Sequence, residues 1–227
     1  MGTPVVSPQP RPAGEHAQRR ADQLRLRLLL AVAGSFAVTA VAFLALGGHG
    51  LLLVGIEAVA LAAMLLAVRV IEPIADRWGR GAGGERKVGA ILEGLGPEWN
   101  VLHGVWLGRG DIDHILVGPG GIFTVETKSH RGRIPVDRID ERMLRQAYAE
   151  SKVLEKVSGL DVQPLLVFSD AWLIGSVPAH RRGVTVIPGR MLAGFLARRR
   201  PKLDADEVTE IAERLRLALE VDAVATR

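Results

Sequence analysis

Asp113, Glu126 and Lys128 are the residues whose types and spacing point most directly to chemistry. They lie on either side of Gly118-Pro119-Gly120-Gly121, between two apolar runs, Ile112–Val117 and Ile122–Val125. Proline fixes φ at the first central position of a turn and glycine accepts positive φ at the second, so Pro119-Gly120 predicts a type II turn. If Gly118 pairs with Gly121, paired residue numbers sum to 239, which sets Asp113 opposite Glu126 and Asp111 opposite Lys128. Opposed side chains on one face of a hairpin have Cβ atoms about 4.5–5.5 Å apart. Two carboxylates so placed repel one another, and a divalent cation is the natural compensation. Mg²⁺, or Mn²⁺ in its place, prefers oxygen ligands and is commonly held by one or two carboxylates with waters and substrate phosphates. Strand alternation puts Lys128 on the same face as Glu126. Its ammonium could position or help deprotonate an attacking water, or stabilise charge on a phosphate. Lysine is scarce here, five against 24 arginines, which makes a casual lysine at this place less expected.

Four further groups bear on the same chemistry. Glu85 precedes Val88 by three residues and so falls on the buried stripe of a predicted helix. Either a helix N-terminal dipole or the metal site supplies its partner. His114 points away from Asp113 in a regular strand and reads as a packing or hydrogen-bonding residue. His103 and His130 have no i, i+4 histidine, so no histidine zinc site is expected. Arg131, Arg133, Arg138, Arg142 and Arg145 follow the hairpin, diluted by Asp137, Asp140 and Glu141. They read equally as a phosphate-contacting rim and as a solvated helix entry. Arg198-Arg199-Arg200 reads as a lipid contact or a wet loop. The chain has no Cys, which excludes a disulfide scaffold, a Cys-ligated metal and a thiol nucleophile. It has no G-x-S-x-G either, so a serine hydrolase is set aside.

The elements that position these residues follow from periodicity. Val88, Ile91, Leu92 and Leu95 predict a helix from Glu85 that Gly96-Pro97 stops. Strands are expected at 99–107, 112–117, 122–128, 164–168 and 183–187. Helices are expected at 141–157, with Met143, Ala147, Leu154 and Val157 on one face, at 191–197, and from Asp204. There Asp204 and Glu207 have capping-box spacing. The predicted order is α-β-β-β-α-β-β-α-α.

Upstream, Leu28–Gly47 is an uncharged apolar run and Leu51–Val68 carries one charge, Glu57. About 20 apolar residues suffice to cross a bilayer. Hydrophobic residues make up 48% of the chain and aromatics only 4%, a balance that suits aliphatic spanning helices. The expected organisation is a disordered basic tail over 1–27, a transmembrane hairpin over 28–68, a juxtamembrane linker over 69–84 and a catalytic-type domain over 85–227. Glu57 lies near the loop and is expected to reach toward headgroups. Gly79-Arg80-Gly81-Ala82-Gly83-Gly84 satisfies G-x-G-x-x-G, but no buried strand precedes it, so a flexible linker is expected and not a dinucleotide site. The net charge is +4, of which residues 1–80 carry +3, with eight arginines against five acids. Arginines flank both apolar runs and the Gly47–Gly50 loop has none. The positive-inside rule then places both ends of the chain in the cytoplasm of an inner (cell) membrane.

Gly84-Glu85, Asp113-His114, Gly118-Pro119-Gly120-Gly121 and Glu126-Thr127-Lys128, in that order, resemble the nuclease-related domain (NERD) family. Glu-x-Lys after a hairpin aspartate is similar to the core of PD-(D/E)XK nucleases. The resemblance covers about residues 81–190. It implies a restriction-endonuclease-like α/β fold, a mixed central sheet flanked by helices. It implies Asp113 and Glu126 as metal ligands, Lys128 as the catalytic lysine and Glu85 as the helix-borne acid at the metal. Gln146 resembles a glutamine found on the following helix in some of these nucleases, although Tyr148 follows it at two residues where the family pattern has four. The expectation is a membrane-anchored, divalent-metal-dependent phosphodiesterase acting on nucleic acid. The alternative is a tethered, non-catalytic domain of the same fold that binds nucleic acid or a protein. The near-neutral balance of residues 81–227 mildly favours that alternative, and a purely structural anchor is a third reading.

Overall fold

The computed structural model describes residues 12–45, 50–106 and 111–225. The tail before residue 12, the Gly47–His49 loop, the Glu57 side chain and the expected strand end at Leu107 lie outside the described residues. The chain divides into two compact units, His16–Arg80 and Gly81–Arg227, the latter joined by the residues up to Glu15.

The first unit is helical. α1 spans Glu15–Ala45, and α2 spans Gly50–Glu93 and continues into the second unit. Both are long and apolar enough to cross a membrane, by length and composition alone. Large apolar side chains such as Leu30, Phe36, Leu44 and Val59 face outward. Arg25 pairs with Asp76 at 3.2 Å, and the Arg20 guanidinium lies 5.3 Å from the Trp78 ring centroid. Two expectations change here. Residues 15–27 are helical rather than disordered, because the prolines end at Pro12 and the following Arg, Gln, Ala and Leu residues favour helix. Residues 69–84 are likewise helical and not a linker. Each glycine costs a helix about 1 kcal/mol relative to alanine. The apolar run before them and the buried Val88 and Leu92 after them hold the same helix from both sides.

The second unit is built on a six-stranded mixed sheet. Its strands are β1 (Asn100–Trp106), β2 (Asp111–Gly118), β3 (Gly121–Lys128), β5 (Val162–Phe168), β7 (Ala179–Arg181) and β8 (Val184–Pro188). β4 (Arg133–Pro135) and β6 (Trp172–Ile174) form a separate two-stranded parallel pair. The sheet order is β1-β2-β3-β5-β8-β7. β1, β2 and β3 run antiparallel, β3, β5 and β8 parallel, and β7 closes the edge antiparallel. The remaining helices are α3 (Glu141–Ser158), α4 (Gly189–Ala197) and α5 (Ala205–Ala225). The short β4, β6 and β7 escaped the sequence reading, since three residues are too few to show a period of two.

Helices cover both faces, which is why β3 is buried along nearly its whole length. Phe123 and Val125 of β3 pack with Leu165, Val167 and Ile187 against Val88 and Leu92 of α2 and Leu192 and Leu196 of α4. Ile122 faces the other way, with Ile115, Val117 and Val162, against Leu154 of α3 and Val208 and Leu215 of α5. The buried face of α3 is Leu144, Ala147, Ser151 and Leu154, so Met143 and Val157 sit at its margin rather than on it. The capping box forms as its spacing predicts. The Asp204 N–H donates to Glu207 Oε2 at 2.8 Å and the Glu207 N–H to Asp204 Oδ1 at 2.9 Å.

The β2–β3 hairpin has the expected register, from Gly118↔Gly121 to His114↔Val125. Its turn differs from expectation. Positive φ falls on Gly121, at 114°, and not on Gly120, so Pro119-Gly120 is not a type II turn. Glycine is needed one residue later, where the chain re-enters the strand.

His114 packs on the face away from the acids, as expected. It is fully buried, and its Nδ1 lies 2.8 Å from His103 Nδ1, while His103 Nε2 lies 3.2 Å from Glu93 Oε1. Burial, and then the His103 charge, push the His114 imidazole down to about 3. The unfolded chain takes up a proton below about 6.5, whereas the folded chain holds His114 neutral until about 3. Stability from this residue is therefore full above about pH 6.5 and is lost as pH falls toward 3, by up to about 1.4 kcal/mol per pH unit. Thermal unfolding of the full chain in detergent, from pH 7.5 to 5, is expected to show this loss, and His114→Asn to flatten it. The same slope in both proteins would place the acid sensitivity elsewhere.

Candidate functional site

The acids and the lysine gather where β2 and β3 end. The β2–β3 ladder stops at His114↔Val125. One step further the Asp113 carboxylate takes over, its Oδ2 accepting the Thr127 N–H at 2.7 Å. Asp113 therefore stands beside Glu126 as the register predicts, and it is fixed to the β3 backbone. The expected opposition of Asp111 and Lys128 is not a strand pair, because β2 has left β3 by then and Asp111 pairs with Trp106 of β1.

Glu126 and Lys128 share the face of β3 that looks toward α3. Glu126 is 3% exposed. Lys128 Nζ donates to Glu126 Oε1 at 2.5 Å and to Gln146 Oε1 at 3.0 Å. Gln146 Nε2 in turn donates to Glu150 Oε1 at 2.9 Å. Gln146 is thus a bridge from the lysine to a further carboxylate. Sequence reasoning missed Glu150. Its one signal was position, one helical turn after Gln146 and hence on the same face of α3.

Glu85 arrives on α2. No helix begins there, so the dipole account of this residue falls away. What brings it in is Gly84: a Cβ at that position would sit 2.8 Å from both Ser129 Cβ and Ser169 Oγ, at the ends of β3 and β5. Only glycine lets α2 pass so close to the strand ends. Lys87 then reaches Asp170 just after β5.

The electrostatics show that these carboxylates feel one another. Burial, then Glu126 and Glu85, push the Asp113 carboxyl well above the usual aspartate range, although the Thr127 N–H opposes this. Burial, then Glu126 and Asp111, raise Glu85, with Lys128 and Arg86 opposing. Burial, then Glu126, push Glu150 up to about 9. Burial alone would lower the Lys128 ammonium, but Glu126, Asp113 and Glu150 together raise it. The lysine is a cation at neutral pH, suited to orienting water and stabilising anionic oxygen rather than to removing a proton. One amine cannot neutralise four clustered carboxyl groups. Two oxygens, Glu126 Oε2 and Glu150 Oε2, are buried with no hydrogen-bond partner.

Among the described residues, no three His, Asp or Glu side chains stand as a formed metal cage. The donors present nonetheless suit a hard, hydrated cation. They are carboxylate oxygens, crowded beyond what Lys128 compensates, with a buried orphan oxygen on Glu126. Mg²⁺ needs only one or two such ligands.

A six-stranded mixed sheet flanked by helices, with acids and a lysine at its strand ends, is consistent with a nuclease-like fold. The family model described as NERD, nuclease-related domain, matches residues 80–169, and this supports the NERD family and a nuclease-related function. That stretch holds Glu85, Asp113, Glu126, Lys128, Gln146 and Glu150. No curated protein matches the chain. Among solved structures, Pyrococcus furiosus SfsA in complex with Ca²⁺ is similar over 60% of this chain and 52% of its own, at 17% identity and a TM-score of 0.24. The chain thus spans about half the length of that structure.

Proposed function

We propose that this protein is a membrane-anchored, divalent-cation-dependent nuclease that hydrolyses phosphodiester bonds of nucleic acid. The observation that carries this reading is Lys128. Its ammonium is held between Glu126 and Gln146, beside an aspartate pinned to the same strand.

Asp113 and Glu126 would hold the ion, Mg²⁺ or Mn²⁺, with Glu85 beside them. A bound divalent ion supplies Lewis-acid charge to a phosphate and acidifies a water. The chain's own residues do the rest. The Thr127 N–H fixes the Asp113 carboxylate, so its other oxygen keeps one direction. Gln146 and Glu126 hold the Lys128 Nζ so that its remaining proton orients a water or an anionic phosphate oxygen. Helices on both faces of the sheet keep bulk water away from Glu126, where weakened screening strengthens each of these interactions. Arg131 and Arg133, exposed just after β3, supply positive charge for the flanking phosphates.

The full chain in detergent, incubated with DNA or RNA, is expected to cleave in Mg²⁺ or Mn²⁺ and to stop in excess chelator. Cleavage that persists in chelator overturns the mechanism, and binding without cleavage in any divalent ion favours the non-catalytic alternative.

The anchoring part of the reading rests on α1 and α2, whose outward-facing leucines, valines and phenylalanines would be costly in water. By the positive-inside rule, the flanking arginines support a cytoplasmic position for both chain ends. The chain has no native Cys, so single-cysteine labelling is unambiguous. In intact cells, Gly48→Cys is expected to react with a membrane-impermeant maleimide from outside and Glu210→Cys only after lysis. The opposite pattern, or labelling of both from outside, would reverse the topology.

A further inference from the structure

The side chains of Glu126, Lys128, Gln146 and Glu150 are linked in sequence between β3 and α3. Lys128 donates to Glu126 Oε1 and to Gln146 Oε1, and Gln146 Nε2 donates to Glu150 Oε1. In each glutamate, therefore, one carboxylate oxygen is held by a donor and its orientation is set. In each, the second oxygen, Oε2, is buried and has no partner. Lys128 and Gln146, which touch each other, hold one glutamate each, so the two carboxyl groups flank the same pair of side chains. Two carboxylates, each held at one oxygen and each with its second oxygen buried and unpartnered, present oxygen ligands to a cation. An unsatisfied buried acceptor is costly, and here there are two in one place, in a residue only 3% exposed and in its neighbour.

We propose that Glu150 is a metal ligand, and that it forms with Glu126 a second divalent-cation subsite on the α3 side of the centre. The first would be held by Asp113 and Glu126, and Glu126 would serve both. The inference rests on the nuclease reading for the first subsite and adds to it a ligand supplied by a helix. It also gives Gln146 a role, that of a positioning residue which turns Glu150 inward while helping to hold Lys128. The ligands are all carboxylate oxygens, so the subsite takes a hard ion such as Mg²⁺ or Mn²⁺ in preference to Zn²⁺.

Mn²⁺ binding to the full chain in detergent, counted by electron paramagnetic resonance and by calorimetry, tests this without any activity measurement. Wild type is expected to bind two ions. Glu150→Gln is expected to lose or weaken one at least tenfold and to keep the other. Asp113→Asn is expected to weaken the other one. Glu150→Gln replaces a buried acid with a neutral side chain of the same shape that can keep the hydrogen bond from Gln146, so its unfolding temperature in chelator is expected to match or exceed wild type, which confirms that the variant is folded. One ion in wild type, weakened by Asp113→Asn and untouched by Glu150→Gln, overturns the second subsite and leaves the nuclease reading standing. One ion weakened equally by both variants also overturns it, since a single shared ion then accounts for the site. No ion in wild type removes both readings, and the glutamate pair is then a proton-sharing structural contact.

Discussion

Lys128→Ala is expected to lower cation-dependent cleavage by the full chain about 10²–10⁴-fold, with most of the loss in kcat. The figure is the usual range for removing one proton-transfer or charge-stabilising group from a site shielded from water. Lys128 is the one ammonium among Glu85, Asp113, Glu126 and Glu150, and its Nζ is already placed by Glu126 and Gln146. Without it, water or a non-bridging phosphate oxygen loses the cationic donor that Glu126 and Gln146 hold in place. The substitution also leaves Glu126 buried without its counter-charge. Breaking a buried pair in this way costs about 3–5 kcal/mol. The side chain of Lys128 is 21% exposed, so the cost falls toward the lower end of that range or below it. Unfolding must therefore be measured beside cleavage, in saturating Mg²⁺, where the added cation replaces part of the lost charge. A folded variant that cleaves within tenfold of wild type would remove Lys128 from the chemistry. It would leave the ammonium as nothing more than a counter-ion.

Asp113→Asn is expected to uncouple stability from cation binding. In the cation-free chain Asp113 is pressed by burial and by Glu126 and Glu85, so removing its charge relieves repulsion. Asparagine Oδ1 can still accept the Thr127 N–H that Asp113 accepts at 2.7 Å. A gain of roughly 0.5–2 kcal/mol is typical of such a change. At about 2–4 °C per kcal/mol for a chain of this size, the unfolding temperature in chelator rises by a few degrees. Wild type should behave in the opposite way. A divalent ion at 100 times its Kd stabilises it by about 2.7 kcal/mol, and most of that gain disappears in the variant. Differential scanning measurements with and without Mg²⁺ on both proteins give four midpoints. If wild type and variant shift equally on adding Mg²⁺, Asp113 is not a ligand. A variant less stable than wild type in chelator would mean that the Thr127 contact needs the full charge, and that repulsion is not what the cation relieves.

How far this centre can be read from spacing alone differs from residue to residue. The hairpin register was legible because it is local. Gly118 and Gly121 close the turn, and alternation then determines which residues share a face. Lys128 on the face of Glu126 followed from the same rule. The Asp204–Glu207 box was legible because both its hydrogen bonds lie within three residues. The turn type was not, because positive φ could be carried by Gly120 or Gly121 and only the strand re-entry chooses between them. Nor was the helix through residues 69–84, where local propensity points one way and packing at both ends the other.

What the sequence by itself determined was a register: Asp113, Glu126 and Lys128 on one hairpin, in an order that resembles a nuclease core, after two apolar runs. What only the tertiary structure decided was the enclosure. Gly84 brings α2 and Glu85 to the strand ends, and α3 lies over β3 so that Gln146 and Glu150 meet Lys128 and Glu126. The physical reason is range. Alternation and backbone pairing act between neighbours along a hairpin and can be counted off the chain. The rotation of a helix over a sheet is instead set by Leu144, Ala147 and Leu154 seated among side chains from several distant strands. No spacing within α3 contains that fit.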